Sequence, residues 1–344
     1  MWLLTGLALA ALLVFPTQCR AGAASGVFLC IQVLIPSLFP FMVLSSFVVS
    51  SGLISHVPSF IEKLTQLLFS LPKESLMVIL LSLIGGYPVG AKGISNLHKN
   101  RIITDKQAEK MSMFCVASGP GFLVTYLGCA MLRSPKSGYI LLVSQTISFI
   151  VLGMTTKLLN KEKTITQKKT ERKSQDSRSD ALVTSVKEAI TSCGYMCAFV
   201  VLFAAICEIF IYLTEGSPKL LWITGVLEIT NGTKLLCTNH SLILISALCG
   251  FGGLCVHFQV FTMLGDIKIR KYLFFLFRIL STLINGVITY LLLKIFPITA
   301  SVFSTIEHTE PSTNKGITGC VFLIICCVVF LFSLKEVCRM SSNN

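Results

Sequence analysis

Ser82-Leu83-Ile84-Gly85-Gly86-Tyr87-Pro88-Val89-Gly90-Ala91-Lys92 is the stretch on which the reading of this chain turns. It lies in a run with no Asp, Glu, Lys or Arg between Glu74 and Lys92, and each such charge would cost about 3 kcal/mol at the centre of a membrane helix. A simple membrane anchor would continue through this run as one helix, yet Gly85, Gly86, Pro88 and Gly90 interrupt it. Every break frees backbone N–H and C=O groups that lipid cannot satisfy. Non-helical backbone at membrane depth must therefore line a cavity or lie against protein.

Working outward, the same pattern recurs. Pro36 and Pro40 split the charge-free run between Arg20 and Glu62, Gly119-Pro120-Gly121 breaks the run between Lys110 and Arg133, and Gly250, Gly252 and Gly253 break the one between Lys234 and Asp266. Further apolar runs lie between Lys136 and Lys157, Arg278 and Lys294, and Lys315 and Lys335, and Cys193 to Leu213 is interrupted only by Glu208. Trp2 to Phe15 is a shorter apolar stretch without a basic flank or clean cleavage site, so it reads as a first membrane segment. The fold class is all-α: a polytopic membrane protein of about eight membrane segments in two repeated halves, with broken or re-entrant helices. Ser82 to Tyr87 can be laid on Ser246 to Phe251, and Leu38-Phe39 falls on Leu202-Phe203 at the same offset. Paired interrupted segments in two halves point to a secondary-transporter site near the bilayer midplane. Gly also permits close helix packing, which is the structural alternative. Whether the halves are inverted or parallel stays open, with the basic loops favouring parallel.

Composition agrees. Of 344 residues 53% are hydrophobic and only 13% charged, which excludes a soluble globular, disordered or collagen-like chain. The net charge of +13 is distributed between apolar runs, not along one stripe, so it signals topology and not nucleic-acid binding. The 14 cysteines lie mostly inside apolar runs, where Cys is a small hydrophobe. Cys193 and Cys197 are one turn apart but have no second pair at zinc spacing, so no metal site is expected. The domain reading is a membrane segment over 1–20, a first membrane half over 21–158, a polar basic linker over 159–182, a second half over 183–338 and a tail over 339–344. Basic loops stay cytoplasmic, which puts the linker, Lys99 to Lys110, Lys268 to Lys271 and the tail inside, and Pro297 to Lys315 outside.

Several motifs resemble the sporulation integral membrane protein YlbJ family, whose members carry the nucleoside-recognition, or Gate, domain. They are Ile35-Pro36-Ser37-Leu38-Phe39-Pro40-Phe41, Gly86 to Lys92, Phe114-Cys115 with Ser118-Gly119-Pro120, and Ser134 to Tyr139. In the second half they are Leu227-Glu228-Ile229-Thr230-Asn231-Gly232 and Phe251 to Val260. The resemblance implies a fold similar to concentrative nucleoside transporters and a role late in spore formation, in the cytoplasmic membrane of a spore-forming bacterium, at the mother-cell-derived outer forespore membrane. The cargo it suggests is dipicolinate, a small aromatic dicarboxylate. Val116-Ala117, where the family pattern has Asn-Asn, and Gln145, where it has His, are departures.

Candidate substrate-binding or coupling residues are Glu228, Thr230, Asn231, His257, Gln259, Lys92, Tyr87 and Ser118. Glu228 opens a stretch to Gly232 that reads as unwound, and a carboxylate in so apolar a setting needs a partner or a proton, unless it sits at a helix end facing water. His257 and Gln259 follow the Gly250 to Gly253 break; a neutral imidazole there can donate, accept and titrate, or merely bridge two helices. Lys92 can attract an anion or snorkel to the cytoplasmic face. Tyr87 and Phe251 occupy matching places and can stack on an aromatic cargo or on lipid-facing neighbours. Ser118 can contact cargo or bond a carbonyl one turn earlier. Glu208 and Arg278 can pair across helices, which is the first reading for Arg278, while Glu208 can instead belong to the substrate path. The leading function is a secondary transporter of a small polar or anionic metabolite, without a cofactor and coupled to Na+ or H+ if to any ion. Its partners are a small molecule and the bilayer. The alternative is a non-transporting membrane component of spore-envelope (cortex) assembly. An enzyme comes last, since no HExxH, GxSxG or nucleotide phosphate loop is present.

Overall fold

The computed structural model describes residues 10–51, 59–159, 178–215, 221–238 and 241–298, and every regular element among them is helical. The heart of the expected linker, the outward segment beyond residue 298, the run between Lys315 and Lys335 and the tail lie outside the described residues, as do residues 1–9 of the first segment. In the first half α1 (Pro16–Leu29) passes through a π turn (Cys30–Leu34) into α2 (Ile35–Ser50), followed by α3 (Ser59–Phe69), α4 (Ser75–Gly85), α5 (Tyr87–Lys99), α6 (Asp105–Phe114), a π-wound α7 (Gly121–Met131) and α8 (Pro135–Leu159). After it come α9 (Arg178–Leu213), α10 (Leu221–Leu227), α11 (Ile229–Thr238), α12 (Leu242–Phe251), α13 (Gly253–Leu264) and α14 (Lys271–Ile295).

The breaks fall where the chain lacks Cβ atoms or amide hydrogens. Gly86 stands at φ +85° between α4 and α5, a left-handed conformation that L side chains rarely adopt, and Pro88 then opens α5. Gly252, at φ +90°, divides α12 from α13 in the same way. Pro36 opens α2, and the axis turns by 59° between Pro16–Leu34 and Leu38–Ser50. Outside the apolar runs ordinary capping takes over: Thr104 Oγ1 accepts from Gln107 N at 3.3 Å and Gln107 Oε1 from Thr104 N at 2.9 Å, a capping box that starts α6.

Four stretches among the described residues are long and apolar enough to cross a membrane: Pro135–Lys157, Ser179–Leu213, Leu242–Leu264 and Lys271–Ile295. The bent pair of α1 and α2 makes a fifth when taken as one span. The faces of these helices suit lipid outside and protein inside. On α14 the large apolar Leu283, Val287 and Leu291 are exposed, while Arg278, Ser281, Asn285 and Thr289 are fully buried. This inverts the pattern of a soluble protein. The chain is an integral membrane protein whose described residues form helices and no strands.

Close packing comes from small residues. On α1, Gly22 and Gly26 face α9, where a Cβ on Gly22 would stand 2.5 Å from Ala204 O and one on Gly26 2.9 Å from Val201 Cα. Such one-turn glycine pairs let two backbones touch where no hydrophobic effect drives them together. Between α8, α12 and α14 a polar seam forms: Thr289 Oγ1 lies 2.6 Å from Ser246 Oγ and 2.9 Å from Ser144 Oγ, and Ser144 donates to Asn285 O at 2.9 Å. Toward the basic-loop side Phe114 stacks on Phe69 and meets Phe149 edge to face, with centroids 5.3 Å apart in both contacts. There Glu109 on α6 is tied to the turn before α14, accepting from Arg270 N (2.7 Å), Nε and Nη2 (2.9 Å each).

Two expectations follow. A methyl group at Gly90 would sit 2.1 Å from Cys115 O, where no side chain can yield, so Gly90→Ala should lower stability by about 3 kcal/mol in a thermal-unfolding assay in detergent. Gly194→Ala on α9, where nothing lies within 4 Å, should be neutral or slightly stabilising, and equal losses in the two variants would contradict the packing. For Glu109, burial pushes the carboxyl up, but the Arg270 donors and charge outweigh it and hold it below the usual range. A depressed folded-state pKa gives stability that is present above the ordinary carboxylate range and lost as pH falls through the folded value. The stability gap between wild type and Glu109→Gln should therefore be open at neutral pH and close as pH falls below the ordinary carboxylate range, measured by thermal unfolding across that range.

Candidate functional site

The helix breaks meet in one place. Gly119, in the non-helical segment 115–119 between α6 and α7, lies so close to the α4–α5 break that a Cβ on it would approach Ile84 O to 2.8 Å and Gly86 N to 3.1 Å. Gly253, at the α12–α13 break, lies as close to the α10–α11 break, where its Cβ would meet Ile229 N at 3.1 Å. Tyr87 ties the two crossings together. Its hydroxyl donates to Cys249 O on α12 at 2.5 Å; having spent its one hydrogen there, it accepts from Ser118 Oγ, also at 2.5 Å.

A cavity of about 230 Å³ opens between these crossings. The α1–α2 bend (Val33, Leu34, Pro36, Leu38), Phe41, Phe122 and Met196 and Val200 of α9 supply apolar wall. Tyr87, Ser118, Glu228, Thr230 and Gln259 supply the polar groups. One carboxylate and no Lys, Arg or His stand among the lining residues.

Glu228 is 3% exposed and owes its place to the start of α11. Its carboxylate accepts from Thr230 N at 2.9 Å and Asn231 N at 2.7 Å, which are among the first N–H groups of that helix and have no partner within it. The expected unwound stretch from Glu228 to Gly232 is therefore shorter than its glycine suggests: only Glu228 departs from the helix, and Ile229 onward is regular because the side chain caps it. Gly232 instead serves packing, since a Cβ on it would stand 2.1 Å from Gly225 Cα.

The other sequence candidates lie elsewhere. Asn231 gives its backbone N–H to Glu228 and is absent from the cavity wall. On α13 the wall residues are Cys255, Val256 and Gln259, so His257 points to the opposite side. There its Nε2 meets Phe251 O at 2.8 Å, and the rings of Phe251, Phe274 and Phe275 surround it with centroids 4.8 to 5.4 Å away. Phe251 is thus committed to His257 and is not in the wall. Lys92 pairs with Glu188 of α9 at 3.2 Å, and Ser46 Oγ donates to the same carboxylate oxygen, also at 3.2 Å. Lys92 neither faces the cavity nor snorkels to the surface: it is 8% exposed.

The pairing expected of Arg278 with Glu208 is not formed. Arg278 donates from Nη1 to Val116 O and from Nη2 to Met113 O, and its guanidinium lies 5.5 Å from the centroid of Phe274. Glu208 lies on the far side, its Cβ against Gly22 of α1. Arg278 thereby holds the segment that carries Ser118 into the cavity, a role the sequence hides because backbone acceptors leave no signature. The departures at Val116, Ala117 and Gln145 are buried and none lines the cavity, so they belong to the packing behind the wall.

A family model described as Gate, nucleoside recognition, matches residues 31–133, the stretch from the π turn through α7 that brings Tyr87 and Ser118 to the cavity. Glu228, Thr230 and Gln259 come from beyond it. The chain is 24% identical over 333 residues to the sporulation integral membrane protein YlbJ of Bacillus subtilis (strain 168), covering 85% of this chain and 81% of that protein. No solved structure matches it. Motifs, family model and relative agree: the chain is similar to the sporulation integral membrane protein YlbJ over most of its length, and to the Gate, nucleoside recognition, model in its first half.

Proposed function

We propose that this protein is a secondary transporter of a small polar metabolite that acts in spore formation. The observation that carries the reading is the cavity at which four helix breaks meet, with a few placed polar groups in an otherwise apolar wall. In this reading the whole chain has about eight membrane segments in two repeated halves, supported by the glycine breaks shared by α4–α5 and α12–α13 and by the mutual packing of α1 and α9. It works in the outer forespore membrane, needs no cofactor, and draws on a Na+ or H+ gradient.

The wall also bears on the cargo. A dianion such as dipicolinate finds one carboxylate and no basic residue there, so it enters only with protons or metal cations that cancel its charge. A neutral ring with hydroxyl or amino donors suits the wall directly: Glu228 and Ser118 accept, Gln259 and Thr230 do both, and Phe122 and Tyr87 offer ring faces.

The test is uptake of radiolabelled dipicolinate and uridine into vesicles holding the purified protein, under Na+ and proton gradients. Saturable uptake of at least one compound is expected, reduced about tenfold or more in Glu228→Gln and in Gln259→Leu, and unchanged in Lys99→Gln on the exposed end of α5. Correctly folded protein that moves neither compound under either gradient would transfer the role to a non-transporting component of cortex assembly. Tyr87→Phe, which leaves Ser118 without its partner, should cost about 1–2 kcal/mol of thermal stability and weaken uptake as well.

A further inference from the structure

At the basic-loop end of the bundle the side chain of Lys110 lies largely buried with no anionic partner among the described residues. Phe114 of α6 packs against Phe69 and against Gly153 of α8, where a Cβ would stand 2.5 Å from Phe69 Cε1 and 3.2 Å from Phe114 Cδ2. These two helices run in opposite directions. One turn farther toward the loops, α6 presents Lys110 and α8 presents Lys157, so the two ammonium groups share the same end of the seam. Lys110 is 4% exposed.

No carboxylate among the described residues pairs with Lys110. Glu109, its neighbour in sequence, is spent on Arg270. Lys157 spends one N–H on Leu67 O at 2.7 Å, near the end of α3, and is only half-buried. Burial, and after it the Lys157 charge, pushes the Lys110 ammonium down to about 8. Like charges brought together beside apolar rings carry a cost that an anion between them removes. The location favours one: both lysines stand where α8 leaves the apolar layer, on the side that basic loops assign to the cytoplasm, and basic pockets between membrane helices at that level hold lipid headgroups.

We propose that Lys110 and Lys157, at the loop end of the α6–α8 seam beside α3, form a binding site for a phosphate anion, carried by the headgroup of an anionic phospholipid or by a soluble phosphate compound. The site is separate from the central cavity, which neither lysine lines. It does not depend on the transport reading.

The full-length protein in phosphatidylcholine nanodiscs, with or without phosphatidylglycerol, tests this by its thermal-unfolding midpoint, with retained lipid counted by native mass spectrometry. A ligand that binds only the folded state raises the midpoint, here by about 5 °C with phosphatidylglycerol. The rise should persist in Lys99→Gln and fall below about 1 °C in Lys110→Gln and in Lys157→Gln, with the retained anionic lipid lost in both. In phosphatidylcholine alone Lys110→Gln should be at least as stable as wild type, because the like charge beside Lys157 is gone; if it fails to fold, Lys157→Gln carries the same comparison. Inorganic phosphate added to phosphatidylcholine discs separates the sources. A rise with phosphate that vanishes in the lysine variants assigns the site to a soluble anion, and a rise with phosphatidylglycerol alone assigns it to the headgroup. Equal rises in wild type and both lysine variants, or no rise with either anion, overturn the site.

Discussion

Helices that stop inside an apolar layer leave peptide groups that lipid cannot satisfy, and this protein is organised around supplying them with partners. At the start of α11 the acceptor is the Glu228 carboxylate. At the end of α6 the donors are the two terminal nitrogens of Arg278. Between the crossings, Tyr87 gives its one hydrogen to Cys249 O. Each of these side chains is buried because the break it serves is buried. The cavity is the space left where the crossing backbones cannot fill the volume that straight helices would.

That logic separates what the sequence discloses from what it hides. The breaks at Gly86, Gly119 and Gly252 are legible, because there glycine stands next to a second glycine or a proline inside a charge-free run, whereas the isolated Gly22 and Gly26 serve packing. So are Tyr87, Ser118, Glu228, Thr230 and Gln259 as residues near the breaks. Direction is harder to read. His257 is two residues from both Cys255 and Gln259, which on a helix is the opposite face, and closeness along the chain misleads there. Lys92 is five residues and roughly 7 Å along α5 from Tyr87, far enough to reach Glu188 on α9 instead of the cavity. The extent of the α11 break was equally hidden, since Gly232 reads as an unwinding signal and is in fact the contact point of two helices.

The division of the cavity wall has a functional consequence. The Gate region contributes the α1–α2 bend, the α4–α5 crossing and Ser118, while α9 to α13 contribute Glu228, Thr230 and Gln259. In the transporter reading a cargo touching both sets adds to the ties that already join these two parts of the fold, Tyr87 to Cys249, Arg278 to the end of α6 and Lys92 to Glu188. Binding then favours whichever arrangement brings the two walls to the right separation. A ligand shifts such an equilibrium only by its difference in affinity for the two arrangements, and a wall shared between two bodies is a direct way to create that difference.

The charges at the centre support the same view. Glu228 and Arg278 are both buried, of opposite sign, and unpaired with each other; each is compensated instead by the helix end it caps, the acid at an N-terminus and the cation at a C-terminus, as the helix dipole favours. Had they formed one ion pair, any motion separating α11 from α14 would have broken it in a low-dielectric setting, where losing one partner costs several kcal/mol. The start of α11 carries its acid and its compensation together, whereas Arg278 of α14 is compensated by carbonyls at the end of α6, so the cation stays satisfied as long as α6 and α14 move as one. The start of α11 can then shift against the joined α6 and α14 without exposing an uncompensated charge, as the proposed alternation between two arrangements within a bilayer requires.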